Sequence, residues 1–379
     1  MPPAIRKRLG VNYNGWVLYN AGFRKEDGGY SQNFQRDSIE LGILLQDEVV
    51  LHDQLEVASL NQARQIDPKT GAEPGKYHHQ IPGVTIRGLS TDYNACDNNA
   101  WTLLGYAEYF RLTQDRDFIK RHEPGIRRGI DEYILQHLNR DFLFIEDPRF
   151  SGAQRFALKV TYWKDSVLPQ RKAGEPIYPV VYPLVHAQYI AALRKTALLI
   201  GPPGLFDIAD RMSKSLGVLF NKDLGAFNIA LDCAGPISGV SSDSLNMFFF
   251  LEPEDLDPQQ IACIIRASEI LETPAGYRGL SPKLSETIED RYHADKVWPV
   301  EQATIHKGAV KFKAWASSQR KEELVGLLDH VEEVSSRVTV HLDGSYAEIL
   351  SINDDEVQKA GCDPHLYTFA AKEYFKRVL

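Results

Sequence analysis

Apolar residues recur three and four positions apart over most of the chain, the spacing that gives a helix one greasy face. Between 38 and 60 they fall at Ile39, Leu41, Leu44, Leu45, Val49, Val50, Leu55 and Val57, which predicts one or two helices. The stretch 98–112 carries Trp101, Leu103, Leu104, Tyr106, Ala107, Tyr109 and Phe110, apolar on more than one side, so its helix should be buried all round. Further helical periods cover 118–138, 182–200, 205–219, 258–271, 302–316, 321–334 and 365–378. Strand signals are few: 142–145, 226–231, and a hairpin-like 337–350 in which Asp343-Gly344 is the turn pair. No Gly-rich phosphate loop stands between a strand and a helix, which argues against a doubly wound nucleotide-binding fold. Paired helices along an uninterrupted chain, with long loops at one end, predict an all-α toroid, a single domain over residues 1–379.

Composition narrows the partners. The net charge of −8 argues against a nucleic acid or an anionic membrane, which need clustered Lys and Arg, and the short start Arg6-Lys7-Arg8 reads as a solvated end. No apolar run approaches the roughly 20 residues that cross a bilayer, and no apolar signal segment opens the chain, so a cytoplasmic location is expected. Cys96, Cys233, Cys263 and Cys362 are scattered without C-x-x-C spacing and read as reduced thiols. His78-His79 is a possible metal pair, but adjacent side chains diverge and no third ligand is spaced to join them; no metal and no cofactor are expected.

Aromatic residues carry more information. Tyr and Phe number 17 each and Trp 5, many of them in loops beside acids and amides, as in 12–16, 92–94 and 297–299. Ring faces interleaved with hydrogen-bonding groups suit a carbohydrate, whose C–H faces stack while its hydroxyls need partners. The run Thr161-Tyr162-Trp163-Lys164-Asp165-Ser166 sets a carboxyl group beside an indole. An apolar neighbour raises the pKa of Asp165, as a proton donor to a glycosidic oxygen requires. Taken alone, the same six residues fit a core tryptophan with a capping or surface acid equally well.

Order along the chain adds to these pieces. Gln35-Arg36-Asp37-Ser38, Glu73-Pro74-Gly75-Lys76, Cys96-Asp97-Asn98, Tyr162 to Ser166, Pro183 to Gln188, Gly276 to Ser281, Val297-Trp298-Pro299, Tyr346-Ala347-Glu348-Ile349-Leu350 and Cys362-Asp363-Pro364-His365 follow one another. In that order they resemble the loop motifs of the catalytic module of amylo-alpha-1,6-glucosidase and glycogen-debranching-type glycoside hydrolases. The resemblance spans residues from about 31 to 379. It implies an (α/α)6 barrel and an inverting glycoside hydrolase of α-glucosidase type, with Asp165 as general acid and Glu348 as general base. Glu301 is the rival base. Inversion requires the two carboxyl groups to stand roughly 6.5–9.5 Å apart with a water beside the base.

For substrate contact we expect Arg36, Asp37, Asp97, Trp163, Lys164, His186, Gln188, Trp298 and Glu301. The sequence departs from the family where Glu301 and Gln302 follow Val297-Trp298-Pro299 and where Cys96-Asp97-Asn98-Asn99 replaces a related loop. It also shows no counterpart of the β-rich domain that commonly precedes such barrels, which points to a short glycoside or a sugar linked to a small acid. Two other readings stay open. One is a sugar epimerase or isomerase on a single α/α barrel, for which His186 and His293 would supply the proton transfers. The other is a catalytically degenerate sugar-binding barrel.

Overall fold

A computed structural model describes residues 3–23, 30–201, 204–353 and 356–379. Its long helices alternate between two rings. The inner ring is made of α1 (Gln35–Leu45), α3 (Asn98–Thr113), α5 (Pro183–Ile200), α7 (Asp243–Phe250), α9 (Pro299–Ser318) and α11 (Leu366–Val378). Each packs on the next, and α11 packs back on α1, so the ring closes. Outside it lie α2 (Glu48–Leu60), α4 (Arg116–Arg128), α6 (Gly204–Leu219), α8 (Pro258–Ser268) and α10 (Glu322–Ser336). The fold is the expected (α/α)6 barrel.

Sequence composition sorts the two rings. All eleven residues of α1 are buried, whereas α6 buries only Leu205, Ala209, Met212, Ser215, Leu216 and Leu219, a three-and-four repeat on one face. Where inner helices touch most closely the contact residue is small. A Cβ on Gly308 of α9 would come within 2.6 Å of the Phe249 amide nitrogen on α7.

Turns from an inner to an outer helix are short, at 46–47, 114–115, 251–257 and 319–321. Gln46 and Gln114 end their helices in the left-handed conformation, and Asp47 and Asp115 then accept from the Val50 and Phe118 amides at 3.1 and 2.9 Å to start the next. The returns to the inner ring are long, at 61–97, 129–182, 220–242, 269–298 and 337–365. All of them therefore emerge at the end where the inner helices begin.

Four local features differ from the sequence reading. The segment 142–145 is no strand; Phe144 alone bridges to Leu138. Asp343-Gly344 is a turn but not a hairpin turn, because Val338–His341 is helical and the strands are Ile349–Asn353 and Glu356–Ala360. Helix α7 gave no periodic signal, since its eight residues end in Met247-Phe248-Phe249-Phe250, apolar on every side. The 226–231 signal resolves into two short strands, Ala226–Phe227 and Ala230–Asp232.

Candidate active site

The long loops enclose a cavity of about 340 Å³ at the upper mouth of the ring. Asp165 and Glu348, 183 positions apart in sequence, both line it, with Arg36, Asp37, Trp163 and Trp298. The volume lies within the range of small-molecule sites, roughly 300–1,000 Å³.

Asp165 sits in the 129–182 return loop and is about 30 % exposed. Burial pushes its carboxyl up to about 7; Arg36 opposes that shift, and Asp37, Asp97 and Asp290 add to it. Its segment is held rigidly from behind. Asp243, the first residue of α7, accepts from the Tyr162 hydroxyl at 2.9 Å and from the Trp163 indole nitrogen at 3.3 Å. Lys164 turns the other way, its ammonium 2.9 Å from Asp243 and 3.1 Å from Glu301, and donates to Ser242 Oγ at 2.7 Å. Those two acids hold the buried ammonium above its ordinary range against the effect of burial.

Glu348 faces the same space from the 337–365 return. Its Oε2 accepts from the Cys362 amide at 2.9 Å, its Oε1 accepts from the Tyr292 hydroxyl, and His365 Nε2 stands 3.4 Å from Oε1. The Tyr292 hydroxyl is also 3.2 Å from that of Tyr30. Gly361, at φ +79°, makes room for this carboxylate: a Cβ there would come within 2.3 Å of Glu348 Oε2.

Between the two acids lies a box of rings. His293 stacks on Trp298 with centroids 4.9 Å apart and planes 10° from parallel, and Trp163 meets both edge-on at 5.7 and 6.0 Å. His293 Nδ1 is 2.8 Å from Ser166 Oγ and 3.9 Å from Asp165. Burial first, then Lys164 and Arg36, keep this imidazole neutral, well below its usual range. On the other side Arg36 donates to Asp97 at 3.1 Å and, through Nε, to the Tyr367 hydroxyl at 3.1 Å. Asp37 lies 3.8 Å from the same guanidinium.

Five residues expected at the substrate lie elsewhere. Asp97 is fully buried and spent on Arg36, and Lys164 and Glu301 are spent on each other behind Trp163. Gln188 and Glu301 line a separate void of about 20 Å³, deeper along the barrel axis with Glu40, Trp101 and Asn246. Burial, then Asp37, pushes Glu40 up to about 8 there. His186 touches neither space: its ring nitrogens meet the Phe144 amide and the Met212 carbonyl at 3.3 and 2.9 Å, a packing role. His186, Gln188 and Glu301 sit in the first turns of inner helices, on faces turned down the axis or between helices, whereas Asp97 and Lys164 lie in the loops but are drawn inward by their ion pairs.

Sequence reasoning passed over Tyr292, Tyr30, Tyr367 and the anchor Asp243, and weighed His79 only as half of a metal pair. A signal was present for two of them: Tyr292 precedes His293 in an acid-rich loop, and Tyr367 lies two residues past the quoted Cys362 to His365 motif. Asp243 had none, because it belongs to the helix without periodicity. His79 lines the cavity and its neighbour His78 does not.

No protein-family model and no curated protein matches the sequence. Solved structures do match in shape. The GH63 mannosylglycerate hydrolase from Thermus thermophilus in complex with Tris and D-glycerate superposes with a TM-score of 0.66 at 12 % identity, over 99 % of this chain and 98 % of that one. The same enzyme in complex with glucose gives 0.63 at 14 % identity over 95 % of both chains. A rhamnosidase from Klebsiella oxytoca with rhamnose bound gives 0.59 at 11 % identity, over 96 % of this chain and 60 % of that one. At such identities the likeness establishes the architecture: this chain is built as those barrels are, from one end to the other.

Proposed function

We propose that the protein is an inverting glycoside hydrolase acting on a short glycoside, with Asp165 protonating the leaving oxygen and Glu348 activating water on the opposite face of the ring. The observation that carries this reading is one cavity walled by both carboxyl groups, one raised to about 7 and the other held by hydrogen-bond donors. A proton donor and a carboxylate in one sugar-sized hollow are what glycosidic hydrolysis requires. Trp163, Trp298 and His293 offer the sugar ring apolar faces, and Arg36 with Asp37 offers polar partners at the floor.

The bound ligands named for the structural neighbours favour a monosaccharide on a small aglycone. They weigh against a long glucan of the amylo-alpha-1,6-glucosidase type. Incubation with a panel of nitrophenyl glycosides, disaccharides and glycosyl-glycerates, following the product anomer by NMR, tests the proposal. Release of the inverted anomer is expected; retention of configuration, or no hydrolysis across the panel, would end it.

Epimerisation has one observation in its favour, since His79, His293 and His365 all line the cavity. Burial lowers His79 to about 3 and holds His293 well below its usual range, so near neutrality both rings are neutral and neither is an imidazolium acid. Deuterium uptake from solvent into an aldose would reinstate this reading.

A further inference from the structure

The barrel has a second opening. At the end where the inner helices finish, a cavity of about 330 Å³ lies between α1, α3, α5, α7 and α9. Its wall is apolar at Ile43, Leu104, Phe249 and Phe250, and its charged groups are Glu108, Arg111, Lys195, Glu252, Lys307 and Lys311. Four cations against two acids form a positive spot on a chain whose net charge is −8.

Internal partners account for only part of that charge. Arg111 and Glu108 neutralise each other through two hydrogen bonds of 2.8 and 2.7 Å. Lys311 caps the end of α7, donating to the Phe249 carbonyl at 3.2 Å and to that of Leu251, with Glu252 3.8 Å away. Cations at helix C-termini are ordinary structural devices, and Lys311 needs no other explanation. Lys307 differs. It lies in the middle of α9, its ammonium sits 5.5 Å from the centre of the Phe249 ring, and among the described residues no carboxylate or carbonyl accepts a hydrogen bond from it. Burial lowers its pKa, and Lys195 and Arg111 lower it further while Glu108 opposes them. Lys195 stands exposed at the same cavity, likewise without a carboxylate in contact among the described residues. Two ammonium groups stand over one apolar hollow, and the carboxylate that acts on Lys307, that of Glu108, is already bonded to Arg111.

We propose that this lower mouth is a second binding site, distinct from the candidate active site, that takes a small amphipathic anion. A carboxylate or phosphate head meets Lys307 and Lys195, and an apolar body lies against Phe249, Phe250 and Leu104. A charge-assisted hydrogen bond in so sheltered a place is strong, and the rings supply the area that holds an alkyl or aryl group. The site does not depend on the hydrolase reading, since it shares no residue with the upper cavity.

Calorimetric titration of the whole chain with octanoate, octyl phosphate and the neutral octanamide tests this. Saturable binding of one or both anions is expected, with octanamide at least roughly tenfold weaker because it lacks the head charge. The tighter anion identifies the head group. Lys307→Met and Lys195→Met should each weaken it by roughly tenfold, by the loss of one charged contact. Lys195 is exposed, so its variant keeps the fold even if the other does not. No saturable binding of either anion, octanamide binding as tightly as the anions, or binding unchanged in the double variant would overturn the proposal.

Discussion

Each end of the barrel holds a lysine, buried at the upper end and half-buried at the lower, and the two are treated in opposite ways. At the upper end Lys164 is enclosed by Asp243, Glu301, Ser241 and Ser242, and its pKa is raised. At the lower end Lys307 has a ring beside it and other cations nearby, and its pKa is lowered. The inner helices explain part of the contrast: all run from the upper mouth to the lower, so their positive ends gather where the carboxylates are and their negative ends where the lysines are. They do not explain why one lysine is fully partnered and the other is not. Lys164 is a structural pin for the segment that aims Asp165. Lys307 has the environment of a group awaiting a ligand.

The sharpest break in the comparison comes from the upper acid. Asp165→Asn keeps the shape and removes the proton, so kcat should fall by roughly 10²–10⁴ while binding of a monosaccharide product persists. Turnover and calorimetry on the same preparation check it, and near-normal turnover would remove Asp165 from the mechanism. The upper lysine should come next. Lys164→Met leaves Asp243 and Glu301 as uncompensated buried charges, which costs about 3–5 kcal/mol by denaturant unfolding. A change under about 1 kcal/mol, the worth of an exposed pair, would mean the three groups are solvated after all.

How far the sequence foretold this arrangement also divides by region. The ring was legible because burial of one or several helix faces leaves its period in the residues, as in 38–60 and 98–112. Asp165, Glu348, Trp163 and Trp298 were legible because their motifs lie in loops that end at the mouth. His186, Gln188 and Glu301 were misplaced because a motif spanning a helix start does not say which face of the first turn looks up the axis. Helix α7 escaped because an apolar run of its length has no period to detect, and with it went Asp243, the anchor of the acid's segment. The lower mouth was invisible: Lys195, Lys307 and Arg111 come from three helices that only closure of the ring brings together.

Two milder perturbations sharpen the roles at the upper mouth. Gly361→Ala would press a methyl group against Glu348 Oε2 at a backbone φ of +79°, moving the carboxylate without touching its chemistry. A loss of kcat of about 10²-fold is expected, as a misplacement near 1 Å brings, with helical circular dichroism unchanged. An unaffected kcat would mean that Glu348 need not stay where it is. The pH profile is the gentler probe. Because burial raises Asp165 to about 7, its donor form is present below that pH and is lost above it. Turnover should therefore hold up to about neutrality, where the donor form is half lost, and decline about tenfold per pH unit above it. A decline that already begins near pH 4 would show the carboxyl to be an ordinary solvated one.

The smallest effect is expected at the lower mouth, and it has the opposite sign from that at Lys164. Lys307 has a folded-state pKa below its unfolded one, so without a bound anion its ammonium is a penalty at neutral pH, relieved as pH rises toward the unfolded value. Lys307→Met removes the penalty and keeps the apolar stem in place. The variant's Tm at pH 7 should exceed that of the parent by roughly 1–3 °C, and the gap should close as pH rises through the lysine range. Octanoate at saturation should narrow the gap at pH 7, because it binds the parent more tightly and so stabilises it more. A lower Tm in the variant without added anion would mean that Lys307 already has its counter-charge within the fold, and the two ends of the barrel would then treat their lysines alike.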